Sequence, residues 1–278
     1  MSADEVTLRT KGNVAIITIN KPRKLNAMTS ADYFKIACLL HEVASMDDIT
    51  ITILIGKGRF FSAGADVSVP RKVPAENSKE DARAGILYTG VANNLHITQA
   101  FYSHPKILVA ALNGPCVGLS AAIAAHADFV YAAPHTFLLT PFSSLGLVSE
   151  GLAAQTFVQR MGLSKANEAL IQSKRITCEE LVHTGFVNKV LDGAGDPKAP
   201  GYSEKFLAEV LKEVDDRMGD HLSHSSMLEI KKQIKAPFMQ TYNAQGSKEV
   251  FGLLDRFLSG VPQKEFAKVA SGQKKHKL

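Results

Sequence analysis

Short apolar runs alternate with longer mixed stretches along the first half of the chain. Val14-Ala15-Ile16-Ile17-Thr18-Ile19 and Ile49 to Ile55 are β-branched and bounded by Gly, Asn or Asp, which predicts two buried strands. Between them Thr29 or Ser30 is placed to cap a helix running to about Met46, with Phe34, Ala37, Cys38, Leu40 and His41 partly marking one face. Asp66 to Gly90 breaks this rhythm: it is polar, carries Pro70 and Pro74, and holds a mixed-charge stretch from Glu76 to Arg83. It predicts an excursion of the functional kind before a helix over Ile86 to Tyr102.

From Ile107 to Ala127 there is no Asp, Glu, Lys or Arg, a length that raises the question of a membrane span. Asn113-Gly114-Pro115 cuts the stretch into a strand (Ile107 to Leu112), a turn and a small-residue helix (Gly118 to Ala127), so no membrane span is expected. Strands follow at Phe129 to Ala132 and Phe137 to Leu139, then helices near Leu152 to Met161, from Ser164 to about Gln172, and from Thr177. Leu191 to Gly201 is rich in Gly, Pro and Asp and reads as a linker. Beyond it Ser203 to Met218, His224 to Ile234 and Ser247 to Ser259 are amphipathic and helical. There is no internal repeat and no heptad pattern.

Composition narrows the class. At 278 residues with 45% hydrophobic content, one large domain with an appendage is expected, and disulfide-stapled miniproteins, collagen and wholesale disorder are excluded. The net charge of +5 invites a nucleic-acid or anionic-membrane partner. Five lysines (Lys264, Lys268, Lys274, Lys275, Lys277) against Glu265 place nearly all of that excess after residue 263, and no aromatic residues interleave a basic patch, so no nucleic acid is expected. Cys38, Cys116 and Cys178 form neither a disulfide framework nor a zinc motif, which fits a reducing setting. Met1 to Val6 is acidic and lacks an apolar stretch, so it signals neither secretion nor mitochondrial import.

Between Phe129 and Gln159 the only formal charge is Glu150. A carboxylate in an apolar, Gly-flanked segment is desolvated and becomes a stronger base, which makes Glu150 a candidate proton shuttle. The competing reading is a solvated glutamate in the first turn of a helix capped by Ser149. Two glycine-containing turns each follow a strand, Gly56 to Asp66 and Asn113 to Ser120. Glycines admit close backbone approach and helix starts present free N–H groups, so the pair could build an oxyanion hole. Neither turn completes a dinucleotide or P-loop pattern. His221 and His224 lack a third ligand and read as a solvated face, Cys116 and His126 read as core, and no Gly-x-Ser-x-Gly elbow exists.

Four blocks, Lys21-Pro-Arg-Lys-Leu-Asn-Ala-Met28, Phe60-Phe-Ser-Ala-Gly-Ala-Asp66, Asn113-Gly-Pro-Cys-Val-Gly-Leu-Ser120 and Ala127-Asp128, resemble the crotonase (enoyl-CoA hydratase/isomerase) superfamily. Phe142 to Gly151 narrows the likeness to its fungal peroxisomal Δ3,Δ2-enoyl-CoA isomerases. The resemblance implies an α/β fold, a spiral of ββα turns over residues 1–200, with a helical segment over 201–278 that makes trimers or dimers of trimers. It implies an acyl-CoA thioester substrate and no cofactor, CoA being part of the substrate, and no metal. By the same resemblance the thioester oxygen is held by the N–H groups of Ala65 and Leu119. CoA is met by the segments Lys24 to Ala27 (Lys24, Leu25, Ala27) and Ala63 to Val67 (Ala63, Gly64, Ala65, Asp66, Val67).

The departures are informative. Where hydratases of this family carry two catalytic glutamates, this chain has Ala122 and Phe142, and the second turn reads Gly118-Leu-Ser120 in place of three glycines. The single base of the isomerases aligns with Glu150, and an orienting asparagine with Asn94. The expected reaction is therefore conversion of 3-enoyl-CoA to 2-trans-enoyl-CoA; the alternatives are a dienoyl-CoA isomerase, with a second acid in the loop after Asp66, or a noncatalytic acyl-CoA- or RNA-binding relative. His276-Lys277-Leu278 resembles a Ser-Lys-Leu address, which implies a peroxisomal import receptor and a peroxisomal location.

Overall fold

The computed structural model describes residues 5–69 and 79–274; His276, Lys277, Leu278, Pro70 and Pro74 lie outside them. β1 (Val6–Lys11) hairpins onto β2 (Val14–Ile19), and α1 (Ser30–Ala44) leads to β3 (Ile51–Gly56). Next come α2 (Lys79–Ile86), a π-helical turn Leu87–Val91, α3 (Ala92–Tyr102) and β4 (Ile107–Leu112). β4 opens the first of two strand–strand–helix turns, completed by β5 (Cys116–Val117) and α4 (Leu119–Ala124); the second is β6 (Phe129–Ala132), β7 (Phe137–Leu139) and α5 (Ala153–Leu170). The chain continues through β8 (Ile176–Thr177), α6 (Cys178–His183), β9 (Lys189–Val190), α7 (Tyr202–Met218), α8 (His224–Leu258) and α9 (Val261–Ala270).

The larger sheet runs β1-β2-β3-β4-β6-β9, antiparallel only at β1–β2, and the smaller runs β5-β7-β8. From β4 to α5 the chain twice lays one strand in each sheet and then a helix, the expected ββα spiral. β3 and β4 are buried along their whole length because helices cover both sheet faces, which is why they read as unbroken apolar runs. Alternate residues divide between the faces. Ile17, Leu54 and Leu108 join the core under α1, α3, α4 and α5. Ile16, Ile53 and Val109 join the core closed by Phe206 and Val210 of α7. The uncharged stretch from Ile107 is therefore core, and among the described residues no helix is long and apolar enough to cross a membrane.

Several elements differ from the expectation. α1 is capped by Thr29, whose hydroxyl accepts the Asp32 N–H while Asp32 accepts the Thr29 N–H. Its buried face is Tyr33, Ile36, Ala37, Leu40 and Val43; Phe34 is 50% exposed, because the spacing from 33 to 40 tracks the helix better than one begun at 34. The helix expected from Ile86 starts at Lys79 and contains the π turn. The two predicted helices over 224–234 and 247–259 are one, continuous through Pro237. Its middle is held from the core: Lys231 and Lys235 reach Asp128 at 2.7 and 3.6 Å, and the Tyr242 hydroxyl donates to Gln159 at 2.6 Å. α5 breaks at Gly162 (φ 74°), separating the two helices expected there.

Candidate active site

The two glycine turns are laced side by side. Met28 N–H donates to Gly64 O (2.8 Å) and Asp66 N–H to Met28 O (2.9 Å), while Ser62 N–H donates to Pro115 O (3.2 Å) and Val117 N–H to Ser62 O (3.0 Å). These are parallel bridges, Met28 to Ala65 and Ser62 to Cys116. The Ala65 N–H faces away from its bridge, and Leu119 opens α4, where N–H groups lack intrahelical acceptors. Neither donates to an acceptor among the described residues, and both residues line one cavity. Gly64 (φ 87°) and Gly118 (φ 65°) occupy conformations closed to most side chains. A Cβ on Gly64 would also stand 3.0 Å from Val117 O.

A buried hydroxyl chain supports the turns from behind. Ser62 Oγ donates to Asn26 O (2.9 Å), accepts the Gly64 N–H (3.1 Å) and accepts from Ser120 Oγ (2.9 Å), which meets the Tyr33 hydroxyl at 3.1 Å. Burial pushes the Tyr33 phenol well up, so it stays neutral. Asn26 and Asn113 both donate to Phe60 O (2.7 and 3.2 Å), and Asn113 Oδ1 accepts the Gly56 N–H (3.1 Å). Tyr33, Ser62 and Ser120 escape a sequence reading because only the folded chain gathers them; two small hydroxyls beside glycines in uncharged blocks were the available signal.

Glu150 is not in the first turn of a helix. α5 begins three residues later, and Glu150 is half-buried on the cavity wall. Its Oε2 accepts a hydrogen bond from Asn94 Nδ2 at 2.8 Å. Asn94 is buried on α3, and the Thr98 hydroxyl donates to its backbone carbonyl at 2.7 Å. Asn94 therefore binds one oxygen of the Glu150 carboxylate and orients it.

The cavity measures about 900 Å³, the size of a small-molecule site. Ile97, Phe142, Leu145, Leu253, Phe257 and Phe266 make its wall mostly apolar, the last three coming from α8 and α9. Ala63, Gly64, Ala65, Asp66, Val67, Leu119, Asn94 and Glu150 also line it. Lys24, Leu25 and Ala27 do not. A short 3₁₀ turn over Pro22–Lys24 and left-handed Leu25 and Asn26 shape that loop, and Leu25 O accepts the Ala63 N–H (2.9 Å). Lys24 reaches Asp66 at 2.8 Å, and with Ser68 it holds the Asp66 carboxyl well below the usual range. Ala122 is fully buried and Phe142 is part of the wall, so neither position offers an acid. Asp81 of α2 also lines the cavity and is exposed.

The remaining candidates lie elsewhere. His224 sits beside Asn13 and His221 is exposed. Cys116 is buried, which pushes its thiol well up, and His126 Nε2 bonds Gly151 O at 2.9 Å. Among the described residues no three His, Cys, Asp or Glu side chains group as a metal site.

The sequence pattern of the enoyl-CoA hydratase/isomerase family matches residues 9–195. A Pyricularia oryzae protein named Delta(3,5)-Delta(2,4)-dienoyl-CoA isomerase is 52% identical over 280 residues, spanning 98% of both chains. The Saccharomyces cerevisiae 3,2-trans-enoyl-CoA isomerase is 32% identical over 284 residues, spanning 99% of this chain and 97% of that protein. The crystal structure of an enoyl-CoA hydratase/isomerase from Mycobacterium paratuberculosis superposes with a TM-score of 0.81 at 24% identity, covering 96% of this chain and 98% of that one, a likeness of fold. With two laced glycine turns, the ββα spiral and these relatives in agreement, the chain belongs to the enoyl-CoA hydratase/isomerase family.

Proposed function

We propose that the protein moves a carbon–carbon double bond along an acyl-CoA thioester, from 3-cis- or 3-trans-enoyl-CoA to 2-trans-enoyl-CoA. Glu150 takes a proton from C2, and the charge that develops on the thioester oxygen is stabilised by the Ala65 and Leu119 N–H groups. The same carboxyl group returns the proton to C4. Atoms and electrons balance without oxidant, metal or added water, so the only cofactor chemistry is the CoA of the substrate. The observation that carries this reading is Glu150 on the cavity wall with one oxygen bound by Asn94. Alanine and phenylalanine stand where a hydratase would hold its acids, so a one-base shift is favoured over hydration.

A second reading is favoured by the 52% identical relative named as a dienoyl-CoA isomerase and by Asp81 in the cavity lining. Moving two conjugated double bonds from 3,5 to 2,4 takes the proton from C2 to C6, twice as far along the chain as C4, and a second carboxylate would shorten that transfer. Purified protein assayed with 3-cis- and 3-trans-enoyl-CoA and with 3,5-dienoyl-CoA decides between them. Turnover of 3-enoyl substrates is the expected result; turnover of the dienoyl substrate alone would overturn the first reading.

The proposal includes self-association through the C-terminal helices, supported by Ile230 and Ile234 of α8 at 54% and 61% exposure. It also includes peroxisomal import through His276-Lys277-Leu278. A tagged chain lacking Leu278 should stay cytosolic, and an unchanged punctate distribution would contradict a tail-read address.

A further inference from the structure

The loop that carries Glu150 turns through two successive left-handed residues, Gly151 (φ 64°) and Leu152 (φ 61°). Glycine takes that conformation freely and leucine does not, so it persists only where the surroundings over-determine it. Three surroundings do so here. The Leu152 side chain is fully buried with Tyr102 and Tyr242. His126, just after α4, meets Gly151 O through Nε2 at 2.9 Å, and its Nδ1 has no partner. From the opposite side Glu249 of α8 accepts the Leu152 N–H at Oε2, 2.8 Å away.

Glu249 is an unusual residue to find there. It is 8% exposed, and among the described residues it forms no ion pair, a costly state for a carboxylate. Burial pushes its carboxyl up, while the Leu152 N–H that Oε2 accepts pulls the other way, and among the described residues Oε1 has no hydrogen-bond partner. The contact falls two residues after Glu150, on the same peptide whose carbonyl His126 meets. We propose that Glu249 is a positioning residue for the base: by holding the Gly151–Leu152 peptide that follows Glu150 it sets where that carboxylate stands in the cavity, without itself touching substrate. Glu249, Leu253 and Phe257 recur every four residues on one face of α8, and the latter two line the cavity. One helix face thus lines the cavity and anchors the loop of the proposed base. The inference rests on Glu150 being that base.

Two conservative variants test it. E249D retracts the carboxylate by one methylene, and E249Q keeps the length and an oxygen that can accept the Leu152 N–H. Displacing a catalytic group by about 1 Å costs on the order of 10²-fold. E249D should therefore lose about that much kcat at unchanged KM, with E249Q restoring most of it. Wild-type kcat in E249D, or equal loss in both variants at unchanged KM, overturns the proposal. Amide exchange gives a readout separate from turnover. Leu152 N–H precedes α5 yet should be protected in the wild type and exchange faster in E249D; rapid exchange in the wild type itself also overturns the proposal. A wild type that isomerises neither enoyl nor dienoyl substrate defeats the functional reading and leaves the exchange result standing.

Discussion

At the scale of single residues, the site turns on how one carboxylate is aimed. Asn94 binds Glu150 at 2.8 Å, and a hydrogen bond to a charged group is worth about 1.5–3 kcal/mol. N94A should therefore lower kcat by roughly 10- to 100-fold, while N94D, which sets a second negative charge beside the base, should be worse. Steady-state kinetics on 3-enoyl-CoA check this, and full activity in N94A would remove Asn94 from the account. Glu150 was visible in the sequence because charge is scarce around it; that it faces the cavity was not. That depends on Gly151 and Leu152 both turning left-handed, and nothing local asks a leucine to do so. Lys24, Leu25 and Ala27 lie outside the cavity lining. Their block is joined to the first glycine turn by the Ala63 N–H to Leu25 O bond, a contact between residues far apart in the chain that spacing alone does not give.

At the scale of elements, the proposed oxyanion donors, the Ala65 and Leu119 N–H groups, depend on two turns keeping register. In G64A a Cβ would meet Val117 O at 3.0 Å on a backbone at φ 87°, so the turn must shift and carry the Ala65 N–H with it. Loss of one such donor typically costs about 10²–10³ in kcat. G12A is the control: its φ is also positive, 56°, but nothing lies within 4 Å, so it should lower stability and leave kcat intact. Equal kcat effects in the two variants would sink the oxyanion assignment. The strands behind these turns were legible because burial on both faces leaves no room for polar alternation. The long α8 was not, since its buried contacts, Lys231 to Asp128 and Tyr242 to Gln159, join residues far apart in the chain.

At the scale of the whole molecule, burial of histidine sets the response to acid. Burial lowers His104 and His126 to about 3 from 6.5. Below about pH 6.5 the unfolded chain binds a proton at each imidazole while the folded chain does not, so stability falls as pH falls. Each histidine contributes up to about 1.4 kcal/mol per pH unit across that window. Urea unfolding between about pH 7 and pH 5 should show a falling midpoint, and H104Q should fall less steeply. A midpoint independent of pH over that range would contradict the assignment. His126 links this response to the site, because its ring also holds Gly151.

The central claim is that Glu150 moves the proton. The most direct measurement is turnover of 3-trans-enoyl-CoA by E150Q, with thermal unfolding run alongside to establish that the variant is folded. Removing a positioned base should reduce kcat by at least about 10²- to 10⁴-fold with little change in KM. A folded E150Q that isomerises the substrate at the wild-type rate would contradict the account.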